Sequence, residues 1–477
     1  MSKQTGGKVI GTGTYGCVHK PQLECTDDKL NTAAAVSKIM LKLDARKELR
    51  EFNDVTRADP SLTMHLGTPT LCEVKATDEN QLAFSGCKAL HNNHGLIYPN
   101  DYALLIMKDG GQDITYFAHA VSGWTVTPEN QNKIELFWLE VSRLFYGLKV
   151  FKDAGLIHRD INHNNIVYNI NTNRLNFIDF GVMTRKKDIV SNANLSQKRL
   201  NFNIESGWSS PWETSKLHKD EFTKIINYND NPRHNEELKK SLDPPLIDRY
   251  FFESIMPLIS HKLTEEGELT EEDGLTKKQK LIDEYEKKLT EMKLNMSAAY
   301  YNMMMAHNPW DWSEFLNKSI DTIDSYGVGL ALLYALTRSG KFLDPILYNK
   351  LNVLFTTMIN PSVYDRHDVN VLIVEYNKIM EGSGILAKHN RHYDEHFLLV
   401  NNAVEAPQPA ESKELPQTPI VPPPVPESVV LGVVPGGKYR PRSRKSCKMS
   451  KSTRQRKPTK RMCSRKANKA KRSHKKR

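Results

Sequence analysis

Apolar positions in the first hundred residues come in short runs broken by glycine and charge, whereas from about Asn130 they recur at three- and four-residue steps. Lys8 to Val18 reads as a strand, a glycine turn and the start of a second strand. Ala33 to Met40 is a short apolar run holding one lysine, Lys38, and Tyr102 to Met107 is another strand. Between them, Asp44 to Val55 has helical spacing, with Leu49, Phe52 and Val55 set among charges. This pattern predicts a small β-rich lobe with one main helix. Farther on, Ile134, Phe137, Trp138, Val141, Leu144, Phe145 and Leu148 form one continuous helical face. Two short apolar segments follow, Asn165 to Asn169 and Leu175 to Ile178. Helical stretches at Val328 to Leu336, Ile346 to Met358 and Val369 to Met380 then predict a larger helical lobe ending near Asn402.

Composition changes the picture beyond that point. From Glu405 to Gly437 there are nine prolines and few large apolar residues, which predicts an extended linker over about 403–437. Of the 67 Lys and Arg in the chain, 20 lie between Lys438 and Arg477, where there is no acid. The other 47, set against 56 Asp and Glu, leave residues 1–437 at a net −9. The body is acidic and the tail strongly basic. Twenty like charges without apolar periodicity predict a disordered tail over 438–477, able to bind nucleic acid without sequence preference by releasing counterions. No apolar run approaches the roughly 18–20 residues a bilayer span needs. No signal-peptide core or lipidation box is evident, so the expectation is an intracellular protein with no membrane association. Six scattered cysteines without C-x-x-C spacing are expected to be free thiols in a reducing compartment.

Two constellations carry candidate chemistry. Gly11-x-Gly13-x-x-Gly16-x-Val18 lies between two strands, where glycines let backbone N–H groups approach phosphates. His158-Arg159-Asp160, with Asn165 five residues after the aspartate, is followed by Asp179-Phe180-Gly181. With Lys38, Ser210-Pro211-Trp212-Glu213, Asp324-Ser-Tyr-Gly-Val-Gly329 and Arg366 in the same order, the chain resembles the eukaryotic-type protein kinases from about Ile10 to Met380. Its long insert and basic Ser/Lys/Arg tail look like those of Ser/Thr protein kinases of large nucleocytoplasmic DNA viruses.

The resemblance implies an α+β, two-lobed protein-kinase fold over 1–402: an N-lobe at about 8–110, a C-lobe at about 111–402 and a helical insert at about 214–323. It implies ATP and Mg²⁺ as cofactors and γ-phosphoryl transfer to Ser/Thr hydroxyls of protein substrates. Asp160 would accept or orient the substrate hydroxyl proton, and Lys38 would bind the α/β-phosphates. Asn165 and Asp179 would ligate the metal, hard oxygen donors suiting that ion. Ile10, Gly11, Thr12, Gly13, Thr14, Tyr15, Gly16, Val18, Val36, Met107, Lys108, Gly110 and Val167 would complete the nucleotide site. A helix carboxylate should hold Lys38, either Glu51 or Glu48; the short Lys38–Glu48 gap favours Glu51, and the other acid is expected to be solvated. Glu213 and Arg366 would form a structural pair, with Asp324 on a central helix.

Two departures stand out. Position 162 is Asn where Ser/Thr members of the family carry a lysine on the γ-phosphate, which implies that Asn162→Lys would raise turnover. A stretch of 110 residues separates Glu213 from Asp324, with a helix expected from Thr276. Expected protein partners are basic, virion or host proteins, and the expected locations are the virion, the nucleus or a viral factory. The alternative is a kinase-fold pseudoenzyme acting as a nucleic-acid-associated scaffold. A small-molecule phosphotransferase would not be expected to keep the Glu213–Arg366 pair together with the Asp324 helix.

Overall fold

The computed structural model describes residues 7–13, 15–32, 34–90, 98–194, 211, 213, 214, 217–220, 222, 223 and 311–402. The chain divides between Val404 and Glu405. Thr14, the expected helix from Thr276, the proline-rich linker and the basic tail lie outside the described residues.

The first part is a five-stranded antiparallel sheet in the order β1-β2-β3-β5-β4, built from β1 (Lys8–Gly13), β2 (Gly16–Lys20), β3 (Ala35–Leu41), β4 (Thr70–Glu73) and β5 (Tyr102–Lys108). At Gly16 a Cβ would lie 2.1 Å from the Ile39 carbonyl oxygen, so the β1–β2 turn closes onto β3 only with glycine there. The helix α1 (Lys42–Ala58) starts directly where β3 ends. Its buried stripe is Ala45, Glu48, Phe52 and Val55, a helical spacing with a carboxylate in the middle of it. The short helix α2 (Asp78–Gly86), capped by Thr77, precedes β5.

Four of the cysteines are not free thiols. Cys17 in β2 is bonded to Cys87, the residue after α2, and Cys25 is bonded to Cys72 in β4, each pair with Cα atoms 5.9 Å apart. All four are buried in one apolar cluster with Leu23, Tyr102 and Leu104. The pairs are 70 and 47 residues apart, so only folding brings them together. The basis for placing the chain in a reducing compartment is thereby removed.

Helices dominate after β5. The two-residue strand β6 (Gln112–Asp113) leads to α3 (Ile114–Ser122), α4 (Pro128–Glu140) and α5 (Ser142–Asp153). The single apolar face expected from Ile134 to Leu148 is buried throughout, but the helix is interrupted at Val141. Short strands β7 (Leu156–Ile157), β8 (Ile166–Asn169), β9 (Arg174–Phe177) and β10 (Thr184–Arg185) follow, then α6 (Lys186–Ala193). β8 pairs with β6 and β9, and β10 pairs with β7.

The helix α7 (Trp312–Ser339) is 28 residues long and buried on every side from Ile323 to Leu336. It packs against α3 and α8 (Pro345–Met358), with α9 (Val369–Ser383) behind α5 and α8. Trp138, Phe145, Phe355 and Tyr376 share this core, and Trp138 Nε1 donates to Ser339 Oγ at 3.2 Å. The short α10 (Ile385–Lys388) and the hairpin β11 (Arg391–Tyr393) and β12 (Leu399–Asn401) close the described chain. The architecture is α+β: a β-rich N-terminal region followed by helices. Among the described residues no helix is long and apolar enough to cross a membrane.

Candidate active site

β3 pairs with β2 and β5 so that Val18 faces Lys38 in register, Val36 faces Met107 and Lys38 faces Leu105. Lys38 is therefore held in the middle strand of the sheet, 5% exposed. Its Nζ lies 2.9 Å from Glu48 Oε2 and 3.5 Å from Asp179 Oδ1. The partner is thus Glu48 and not Glu51. The physical reason is the missing β3–α1 loop: with the helix starting at Lys42, ten residues are enough to carry the carboxylate back over the lysine.

Glu51 is not a solvated acid either. Its side chain is 18% exposed, Oε1 lies 3.9 Å from Lys47, and Oε2 is buried without a hydrogen-bond partner. Burial pushes its pKa up to about 7, with Lys47 opposing.

Burial works against the charge of Lys38, but Asp179 and Glu48 outweigh it and raise its pKa above the ordinary value. In turn Lys38, against the effect of burial, holds Asp179 below the usual carboxylate range. Burial raises Glu48, with Lys38 opposing. The charged lysine is thus matched by a fully ionised Asp179.

The loop after β7 is fixed from below by α7. Asp324 accepts the backbone N–H groups of His158, at 2.8 Å, and Arg159, at 2.9 Å. One helical turn on, a Cβ at Gly327 would lie 2.2 Å from the Ile161 carbonyl oxygen, so helix and loop touch backbone to backbone. Arg159 (φ 71°) and Asp179 (φ 58°) both have left-handed backbone, a costly conformation for non-glycine residues that clusters where the surroundings over-determine it.

Asp160 is held within this loop by amides. Asn165 Nδ2 donates to Asp160 Oδ2 at 2.9 Å and to its carbonyl oxygen at 2.7 Å. Asn162 Nδ2 donates to Asp160 Oδ1 at 3.1 Å. Burial, with Asp179 adding to it, raises the Asp160 pKa, while the two amides oppose the shift. Phe180, buried beside Asp179, stacks edge-on against Phe52 of α1 with ring centroids 5.0 Å apart, coupling that segment to the helix that carries Glu48.

The glycine turn covers the same place. A Cβ at Gly13 would sit 3.9 Å from Asp179 Oδ2. Ile10 and Tyr15 are exposed, and Gly11 and Thr12 lie on β1 beside them. At the end of β5, Lys108 pairs with Ala35, and Gly110 backs onto Val167, whose Cγ2 would lie 2.6 Å from a Cβ placed there. Glu213 and Arg366 are brought together, both side chains fully buried; Arg366 Nη2 donates to Glu213 Oε2 at 3.1 Å and Nη1 to Oε1.

One pair was invisible in the sequence. Arg185, after β9, donates to both oxygens of Asp54 on α1, at 2.9 and 3.0 Å, tying that helix to the segment after Asp179. Its members are 131 residues apart, and no motif marks either of them.

No group of three or more His, Cys, Asp or Glu side chains gathers among the described residues. Any divalent ion here would therefore draw on one carboxylate, Asp179, the amide oxygen of Asn165 and oxygens of its ligand. That donor set fits Mg²⁺, which keeps few protein ligands and takes phosphate oxygens. Searches for a matching protein-family model and for a matching curated protein find none.

Proposed function

We propose that this chain is an ATP-dependent protein kinase of the eukaryotic type, transferring the γ-phosphoryl group to Ser/Thr hydroxyls. The observation that carries the reading is the convergence of Lys38 on Glu48 and Asp179, with Asp160, gripped by Asn165, close enough to Asp179 for their charges to interact. Phosphoryl transfer asks for positioning and charge neutralisation more than for covalent chemistry. Lys38, kept charged and aimed by Glu48, binds the α/β-phosphates. The turn at Gly11 to Gly16 folds over them, Val18, Val36 and Val167 enclose the base, and the backbone after Met107 meets its edge. Bound Mg²⁺, held by Asp179 and Asn165, supplies positive charge to the phosphates. Asp160 accepts the proton of the substrate hydroxyl as its oxygen bonds to the γ-phosphorus and the bond to the β–γ bridging oxygen breaks, releasing ADP.

The test is transfer of labelled phosphate from ATP to a mixture of basic proteins, comparing wild type with Asp160→Ala. General-base and orienting roles typically contribute 10²–10⁴-fold, so incorporation by the variant should fall by about 100-fold or more. Equal incorporation would sink the enzyme reading and leave the nucleic-acid-associated scaffold in its place.

A further inference from the structure

Asn162 stands where the resemblance expects a cation, yet its surroundings are those of a structural amide. It is 5% exposed, and both ends of its side chain are used. Nδ2 donates to Asp160 Oδ1 at 3.1 Å and to the Asp160 carbonyl oxygen at 3.2 Å, while Oδ1 accepts the Asn164 N–H at 2.8 Å. Its own carbonyl oxygen accepts the Asn165 N–H at 3.0 Å. Asn165 grips the other carboxylate oxygen of Asp160. The carboxylate is therefore clamped at both oxygens by two neutral amides from one loop. That loop is anchored at its start by Asp324 and beneath Ile161 by Gly327.

We propose that Asn162 is a positioning residue for Asp160: its side-chain amide fixes the carboxylate orientation that receives the substrate hydroxyl. The job needs a donor and an acceptor on one short side chain, and it needs no charge. A lysine has no acceptor, so Asn162→Lys would leave the Asn164 N–H without its partner and push a long ammonium stem into a closed slot. The exchange expected from sequence to raise turnover should instead lower it. Asn162→Asp separates the two functions, keeping the acceptor for Asn164 and losing the donor to Asp160.

The inference rests on the proposed kinase reading, and the experiment keeps the two apart. Wild type, Asp160→Ala, Asn162→Ala, Asn162→Asp and Asn162→Lys are compared by kcat, KM for ATP and thermal midpoint. A small misplacement of a reacting group costs up to about 100-fold, so each Asn162 variant should lose about 10- to 100-fold in kcat. KM for ATP should stay within about twofold of wild type, because Lys38 and the glycine turn are untouched. Should Asn162→Ala fail to fold, Asn162→Asp, with the loop acceptor kept, carries the test. Unchanged kcat in Asn162→Asp, a raised kcat in Asn162→Lys, or a loss shared equally between kcat and ATP affinity would each overturn the positioning role. An Asp160→Ala protein as active as wild type would overturn the kinase reading itself.

Discussion

Glu51 shows how one carboxylate can oppose the fold that holds it. Its raised pKa, about 7, comes first from burial, so the folded protein keeps the proton on Glu51 at pH values where the unfolded chain, near 4.5, has lost it. Stability contributed by the neutral form is complete below about pH 4.5 and is lost as pH rises to about 7. Glu51→Gln removes that loss. The variant should match wild type at pH 4 and exceed it by about 1–3 kcal/mol at pH 8, read from denaturant midpoints at several pH values. A pH-independent difference would show that the effect is packing and not ionisation. Glu48, one turn earlier, is also raised by burial, but Lys38 lies 2.9 Å from it and opposes the shift. Spacing from Lys38 favours Glu51, and the structure chooses Glu48. What separates them is the absence of a β3–α1 loop, a fact of backbone path that no residue in the sequence announces.

Elements whose apolar residues carry their own period were legible. β3, β5, α1, α8 and α9 all lie where the pattern put them, the helices because each buries one apolar stripe and the two strands because they are buried on both faces and read as continuous apolar runs. The Asp324 helix was legible only in its centre; its start at Trp312 falls inside the expected insert. α2, with little apolar content, and the hairpin of β11 and β12 gave no periodic signal. The loop from His158 to Asn165 was readable as motif, but the amide clamp on Asp160 was not, since hydrogen bonds leave no pattern in composition. The cystines were hidden for another reason: their spacing is long and each half sits in a different element. Because Cys17 follows Gly16 and precedes Val18, its bond to Cys87 fixes the strand that follows the glycine turn. Native disulfides typically contribute about 2–4 kcal/mol. Full reduction should therefore lower the thermal midpoint and raise KM for ATP, and Cys25→Ser should lower the midpoint while affecting KM less. An identical melting curve with and without reductant, with six free thiols counted beforehand in the denatured chain instead of two, would show that the pairs do not form in solution.

At the scale of the whole molecule, the charge is divided between body and tail. The body is net −9 over residues 1–437, and the tail holds 20 Lys and Arg without an acid. We expect a chain ending near Asn402 to keep phosphoryl transfer and to lose nearly all affinity for random duplex DNA. If about ten phosphates are engaged, log K against log salt for the full chain should slope near −9, from about 0.9 per phosphate. Equal binding by the shortened chain would remove the tail from the nucleic-acid reading. Hydroxyls such as Ser446 and Thr459 lie among these basic residues. Each phosphate placed there adds about −1.5 to −2 charges and should flatten the slope.

The two cystines are nested, 25–72 inside 17–87, and they close part of the backbone into rings. Lys38 and the whole of α1 lie inside the inner ring. A protease that nicks the loop between Ala58 and Thr70 would therefore not set any fragment free. The pieces would run as one band on a gel without reductant and as two bands with it. A cut chain would still hold its lysine and its helix in place, so a nicked preparation can remain competent while every intact-chain assay by denaturing, reducing electrophoresis reports it as broken.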